Sequence, residues 1–154
     1  MASVNVRRLA DADRVEFVRM RVALWPDADP DELASEVDGM LADPDQVIFV
    51  AEHDEHGLCG MVEARVRQFA NGVDEAPCAF VEGWWVDADV RRTGIGRALI
   101  GAVEAWARAR GFHELGSDAL LENVVSYHAH LALGFEERER VVAFRKLLVD
   151  PSSG

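Results

Sequence analysis

Two spacings of apolar residues divide this chain into strands and helices. Val4-Asn5-Val6-Arg7-Arg8-Leu9 alternates and predicts a first strand. Asp11 or Asp13 then caps a helix whose apolar face uses Val15, Val18, Val22 and their neighbours. Trp25-Pro26-Asp27-Ala28-Asp29-Pro30 ends that helix, since proline cannot donate and disfavours helix in the residue before it. A second helix is predicted over 31–42, stopping near Asp43-Pro44. Val47-Ile48-Phe49-Val50-Ala51 reads as a short strand, and the Asp54-Glu55-His56-Gly57 turn joins it to a run over 58–67 as a hairpin. A loop with an Asn71-Gly72 turn follows, then a strand through Phe80-Val81-Glu82-Gly83-Trp84-Trp85-Val86. The spacing Ile95, Leu99, Val103, Trp106 predicts a long helix over 94–110, with Trp106 in the core. A short strand at Leu115-Gly116-Ser117, a helix over 123–133 ended by Gly134, and one or two closing strands over 135–149 complete the order. The expected fold class is α/β, an α+β mixed sheet with helices on it: one domain over 1–150 and a tail over 151–154.

Composition narrows the choice of function. The chain has 154 residues, 49% hydrophobic and 29% charged, which suits a folded domain with a proper core. A net charge of −12 argues against a nucleic-acid partner, which needs a basic face, and permits an acidic cleft for a cationic ligand. No apolar run reaches the roughly 20 residues of a membrane span. The N-terminal residues lack the apolar segment of a signal peptide, so a cytoplasmic location is expected. Cys59 and Cys78 have neither metal-ligand nor redox spacing, and no metal is expected; both read as small apolar residues.

The chemistry concentrates at Arg91-Arg92-Thr93-Gly94-Ile95-Gly96-Arg97, between a strand and a helix start. Glycines let the backbone approach an anion, and the first helical N–H groups and the helix dipole stabilise phosphate. Flanking arginines add charge-assisted bonds. A dinucleotide fingerprint needs a third glycine after the first strand, but Leu99 holds that position and the motif follows the fourth strand. A Walker A loop needs Gly-Lys-Ser or Gly-Lys-Thr, which this stretch lacks.

Arg-x-x-Gly-x-Gly after a β-strand resembles the GNAT superfamily of N-acetyltransferases. The resemblance implies the acyl-CoA N-acyltransferase fold, with acetyl-CoA as co-substrate. Trp84, Trp85 and Val86 would then line the pantetheine arm where the strand splays from its neighbour. Arg91, Arg92, Thr93, Gly94, Ile95, Gly96 and Arg97 would wrap the pyrophosphate, and Asn123 would contact the cofactor. In the superfamily the residue four before the glycine of Leu133-Gly134-Phe135 is typically a tyrosine beside the CoA sulfur; here it is His130. Asn123, Tyr127 and His130, at i, i+4 and i+7, share one helix face. His130 is a candidate acid for the departing thiolate and Tyr127 its rival. The plain alternative for His130 is a hydrogen-bonded structural residue.

Phe80-Val81-Glu82-Gly83, Ser117-Asp118, Glu122-Asn123, the run from Leu133 to Val141, Leu24-Trp25-Pro26 and the Asn71-Gly72 loop together resemble the aminoglycoside 6′-N-acetyltransferases, over nearly the whole chain. That resemblance implies a drug site of Trp25, Phe69, Glu82, Asp118 and Glu139, antibiotic resistance as the role, and a homodimer with the C-terminal strand exchanged. Phe69 stands where a tyrosine is common, and Ala28 where a histidine often lies.

The residues carry the same idea on physical grounds. An aminoglycoside is a hydroxyl-rich polycation, and its pocket should offer carboxylates and a flat apolar surface. Glu82 sits within an apolar strand, where a buried carboxylate is costly unless it meets a cation or donors. Its plain alternative is an outward-facing residue; that of Asp118 is a turn cap, that of Trp25 a core residue, and that of Glu139 a solvated strand face. Glu82 or Asp118 is the candidate base for the substrate amine, and a backbone N–H near Val86 the candidate for polarising the thioester carbonyl. A close carboxylate also raises the amine's pKa, which conflicts with the base role. No activated Ser or Cys is evident, so direct transfer is expected. Two alternatives stand: acetylation of another polyamine, amino sugar or peptide amine by the same fold, and a non-catalytic acyl-CoA-binding regulator.

Overall fold

The computed structural model describes residues 3–149. The predicted tail over 151–154 lies outside them. The element order is β1 (Val4–Arg8), α1 (Arg14–Leu24), α2 (Pro30–Ser35), α3 (Val37–Ala42), β2 (Gln46–His53), β3 (Gly57–Arg67), β4 (Cys78–Val86), α4 (Ile95–Ala109), β5 (Leu115–Gly116) and α5 (Val124–Ala132). The strands form one sheet in the order β1-β2-β3-β4-β5. The first four are antiparallel, and β5 joins β4 in parallel. No helix among the described residues is long and apolar enough to cross a membrane.

Strand alternation sorts β2 and β3 into two cores, because successive side chains point to opposite faces. Val47, Ala51, Val62 and Ala64 meet the buried stripe Ile95, Leu99, Ile100, Val103, Trp106 and Ala107 of α4. Ile48, Val50 and Met61 meet Phe17 and Met20 of α1 and Val37 of α3 on the other side. A sheet covered on both faces explains why these strands read as apolar runs. Each large aliphatic side chain buried this way contributes roughly 1.5–3 kcal/mol. Cys59 and Cys78 are buried free thiols, and burial pushes both thiol pKa values up, so they act as small apolar residues.

Four local expectations need correction. The buried face of α1 is Phe17, Met20 and Arg21, while Val15 is 81% exposed. Residues 17, 20, 21 and 24 have the same helical spacing as the valines, and the larger Phe17 and Met20 remove more apolar area from water. Asp13 precedes α1 without capping it: its carboxylate accepts from Ala10 N at 2.8 Å and from Arg7 at 2.6 and 3.0 Å. The helix predicted over 31–42 divides at Glu36, where the Leu33 carbonyl accepts from the buried Arg21 guanidinium at 2.7 Å. No strand closes the sheet over 135–149 among the described residues. A strand there needs a partner, and β5 is two residues long. Val142, Phe144 and Leu148 are instead exposed by 77%, 91% and 92%.

Candidate active site

β4 carries the site. Its first half is held on both sides, by β3 and, through Ala79 and Phe80, by β5. Beyond Phe80 the pairing with β5 stops, and residues 81–86 present an edge that no strand covers among the described residues. Asp87 N donates to the Cys59 carbonyl at 2.8 Å. Since successive strand residues turn their backbone groups to opposite edges, Val86 turns its N–H and carbonyl to the open one. There the Val86 carbonyl accepts from Arg91 Nε at 2.8 Å.

Trp84 and Trp85 separate onto the two faces. Trp85 packs with the α1 core, donates to Asp87 at 2.9 Å and lies under the Arg91 guanidinium at 4.9 Å. Trp84 packs with the α4 core and lies against Gly96, where an added Cβ would come within 2.9 Å of its ring. Trp84 Nε1 is buried with no hydrogen-bond partner among the described residues. An orphaned donor costs about 1–3 kcal/mol. The open edge, by contrast, turns free backbone N–H groups of β4 toward a chain that carries acceptors. The pantetheine arm, with its amide carbonyls, has that chemistry.

The loop after β4 continues the cradle. Arg92 and Gly94 take positive φ, 65° and 87°, and the Thr93 hydroxyl donates to the Val90 carbonyl at 2.5 Å. Gly94 caps α4, whose first turn contains no acid to compete with a bound anion. The N–H groups of that turn have no intrahelical acceptor and point out of the helix end. Arg91, Arg92 and Arg97 are exposed around it, and Arg97 reaches the Ala132 carbonyl of α5 at 3.2 Å. These residues fit a pyrophosphate.

On α5, the Asn123 side chain accepts from Ser126 N at 3.1 Å and caps the helix. His130 is held by its own neighbours. Its Nδ1 lies 2.7 Å from the Ser126 carbonyl, so that nitrogen donates, and Nε2 lies 2.7 Å from the Ser117 hydroxyl. The ring sits edge-on between Trp84 and Phe135. Tyr127 points elsewhere: its hydroxyl donates to Glu137 at 2.9 Å, a bond that raises the phenol pKa.

Glu82 owes its orientation to a break in the strand register. Val81 faces Ala64 and Gly83 faces Glu63, leaving Glu82 as the extra residue of a β-bulge. Bulges re-aim side chains, and this one places Glu82 at the rim of two adjoining clefts. One, of about 530 Å³, is lined by Trp25, Glu36, Met40, Gln46, Glu63 and Arg65. The other contains Asp43, Asp45, Arg67 and Phe69, the last 70% exposed. Trp25 packs against Gly83, where a Cβ would meet the ring at 2.6 Å. Glu82 is not a free carboxylate: Arg67 binds both its oxygens, at 2.7 and 2.6 Å, and stacks on Phe80 at 3.7 Å. The Glu82 bond lifts Arg67 above the ordinary guanidinium pKa, and the charge of Asp118 adds to this. Asp118 is exposed and without a hydrogen bond among the described residues. Glu139 lies on the exposed segment after α5, beside the Arg138–Asp74 and Arg140–Glu137 pairs.

Sequence reasoning missed Arg67 and the buried Arg21–Glu63 pair, joined at 2.7 and 3.2 Å. Burial raises the Glu63 pKa, opposed by its Arg21 bonds. The available signal was an arginine on the Phe17 face of α1 and a glutamate inside the apolar run 59–64. Elsewhere, His53, Glu55 and His56 bring ligand-capable atoms within 4.8 Å of one another on the exposed β2–β3 turn, where His53 Nδ1 already accepts from Glu55 N at 3.1 Å.

The profile of the Acetyltransferase (GNAT) family matches residues 9–135. The chain is 42% identical to an aminoglycoside N(6′)-acetyltransferase type 1 of Stenotrophomonas maltophilia, over 97% of this chain and 96% of the relative. It is 40% identical to one of Klebsiella aerogenes, over 96% and 99%. Among solved structures, AAC(6′)-Iy in complex with the bisubstrate analogue CoA-S-monomethyl-acetylneamine superposes with a TM-score of 0.89 at 32% identity, covering 94% of this chain and 99% of that one. An open β4 edge, a left-handed glycine at the start of α4 and a cleft of acids and arginines beside them thus sit in a chain that belongs to the acetyltransferase (GNAT) family, among its aminoglycoside N(6′)-acetyltransferases.

Proposed function

We propose that the chain transfers the acetyl group of acetyl-CoA to the 6′-amino group of aminoglycoside antibiotics and so confers resistance. The observation that carries this reading is β4 itself, which offers an open edge for the acyl donor and, through the Glu82 bulge, an adjoining cleft lined by carboxylates and arginines for the acceptor. Relatives over nearly the full chain length bear that activity in their names, and AAC(6′)-Iy has been solved with a CoA–aminoglycoside analogue.

The pyrophosphate lies on Arg91, Arg92 and Arg97 and the first turn of α4, and the pantetheine arm along Trp84 to Val86. The Val86 N–H, on the open edge, is placed to polarise the thioester carbonyl. Trp25 and Phe69 give the flat apolar surface, and Glu82, Asp118 and Glu139 the carboxylates. The neutral amine attacks the thioester carbon, the C–S bond breaks, and the amide forms without an acyl-enzyme. Asp118, without a hydrogen bond among the described residues, takes the amine proton. The CoA thiolate takes a proton from the Ser117 hydroxyl, which takes one in turn from His130 Nε2; His130 enters this step as the imidazolium, protonated on Nε2 as well as Nδ1, and regains its proton from solvent. The protein works in the cytoplasm as a homodimer. Its C-terminal residues pair with the partner chain, which would cover Val142, Phe144 and Leu148.

Glu82→Ala and Asp118→Ala are the test. Each is expected to lower turnover of a 6′-amino aminoglycoside by about 10²-fold or more while calorimetry shows unchanged CoA binding. Unaltered steady-state kinetics in both variants would overturn the cleft assignment.

A further inference from the structure

The Arg67–Glu82 pair bears on the conflict between holding an amine and deprotonating it. A bare carboxylate next to the acceptor nitrogen stabilises the ammonium, which cannot attack. In this structure Glu82 is not bare: Nε and Nη2 of Arg67 take one oxygen each, a geometry that leaves further lone pairs on both oxygens. The guanidinium is fixed by stacking on Phe80 at 3.7 Å, so its charge stays with the carboxylate.

The charged groups around the Arg67–Glu82 pair are Glu63 and Arg65 of β3, Asp43 and Asp45 before β2, Arg21 of α1, Glu36 between α2 and α3, and Asp118 after β5, whose charge acts on Arg67. Arg21 binds both Glu63 and Glu36, and Arg110 binds Asp45. Asp43 accepts from Asp45 N and Gln46. Asp118 alone among these acids lacks an internal partner among the described residues.

We propose that Arg67 is a positioning residue that cancels the charge of Glu82, so that Glu82 orients the acceptor amine by hydrogen bonds without holding it protonated. This rests on the reading of Glu82 as part of the acceptor site. Attraction of the polycation then falls to Asp118 and the outer acids, and the reacting nitrogen meets a neutral pair.

The test compares pH profiles of kcat and kcat/KM, with a 6′-amino aminoglycoside, for the unaltered enzyme, Arg67→Gln and Arg67→Lys. The rising limb of kcat reports the bound amine, and that of kcat/KM the free one. The two limbs are expected to coincide in the unaltered enzyme. In Arg67→Gln the kcat limb should move alkaline by about one pH unit and the neutral-pH KM should not rise, while Arg67→Lys restores the original limb. A kcat limb unmoved in Arg67→Gln overturns the proposal. If that variant does not fold, the unaltered enzyme decides, because a kcat limb about one unit or more above the kcat/KM limb contradicts charge cancellation. Glu82→Gln separates the layers. If Glu82→Gln damages kcat/KM and the Arg67→Gln limb stays put, only this proposal falls; if Glu82→Gln is harmless, the acceptor-site reading falls with it.

Discussion

Gly83 and Gly96 shape the two halves of the proposed site through what they lack. A Cβ at Gly83 would reach the Trp25 ring at 2.6 Å, and one at Gly96 the Trp84 ring at 2.9 Å. Gly83→Ala should push Trp25 away from the cleft, raising KM for the acceptor and leaving CoA affinity unchanged. Gly96→Ala should do the reverse, weakening CoA in a calorimetric titration while acceptor KM holds. Overpacking of this kind costs about 1–3 kcal/mol of stability, which a denaturant melt will read. Equal effects of both variants on both ligands would show that the halves are not separate. The loop glycines were legible because their spacing is a motif. Gly83 was legible only as a neighbour of Glu82, since the ring that fills its space comes from residue 25. Arg67 was illegible for a related reason: it meets Glu82 across a hairpin whose register is broken by the bulge.

Helix α1 is joined to the sheet by charge as well as by apolar packing. Arg21 is 4% exposed and binds Glu63, Glu36 and the Leu33 carbonyl, fastening α1 to β3, α2 and the residue before α3. Arg21→Ala leaves a buried carboxylate unpaired and is expected to cost about 3–5 kcal/mol, measured as a shift in urea midpoint. The Arg7–Asp13 pair joins β1 to the start of α1, and the Arg7 bond holds the Asp13 carboxyl below its ordinary 3.8. A lowered carboxyl pKa gives stability that is present above the ordinary value and is lost as pH falls through the folded one. The unaltered protein should therefore lose more stability than Asp13→Asn as pH falls from 6 through the acid range. Parallel melts of the two would remove that role. Periodic burial located α4, and continuous apolar runs located the hairpin, within a residue or two. Hydrophobic spacing misplaced the α1 face and joined α2 to α3, because there a buried arginine does work that patterning assigns to apolar residues.

The whole molecule is a sheet covered on both faces, with an apolar C-terminal segment left in solvent. Exposure of Val142, Phe144 and Leu148 is what a strand awaiting a second copy would show. Sedimentation equilibrium should give twice the chain mass, and Phe144→Asp with Leu148→Asp should reduce it to one. A monomer in the unaltered protein would contradict the exchanged strand. Closing strands are expected from the apolar residues over 135–149, but β5 offers an edge of only two residues. The donor half of the site was legible as a contiguous loop. The proposed acceptor half draws on five separate segments, and the resemblance alone singles out all of its residues. The most direct test of the account is release of free CoA from acetyl-CoA with paired acceptors, an aminoglycoside bearing a 6′-amine and its counterpart bearing a 6′-hydroxyl. Turnover with the first and none with the second is the expected result; turnover with neither, or with both alike, would contradict 6′-N-acetylation.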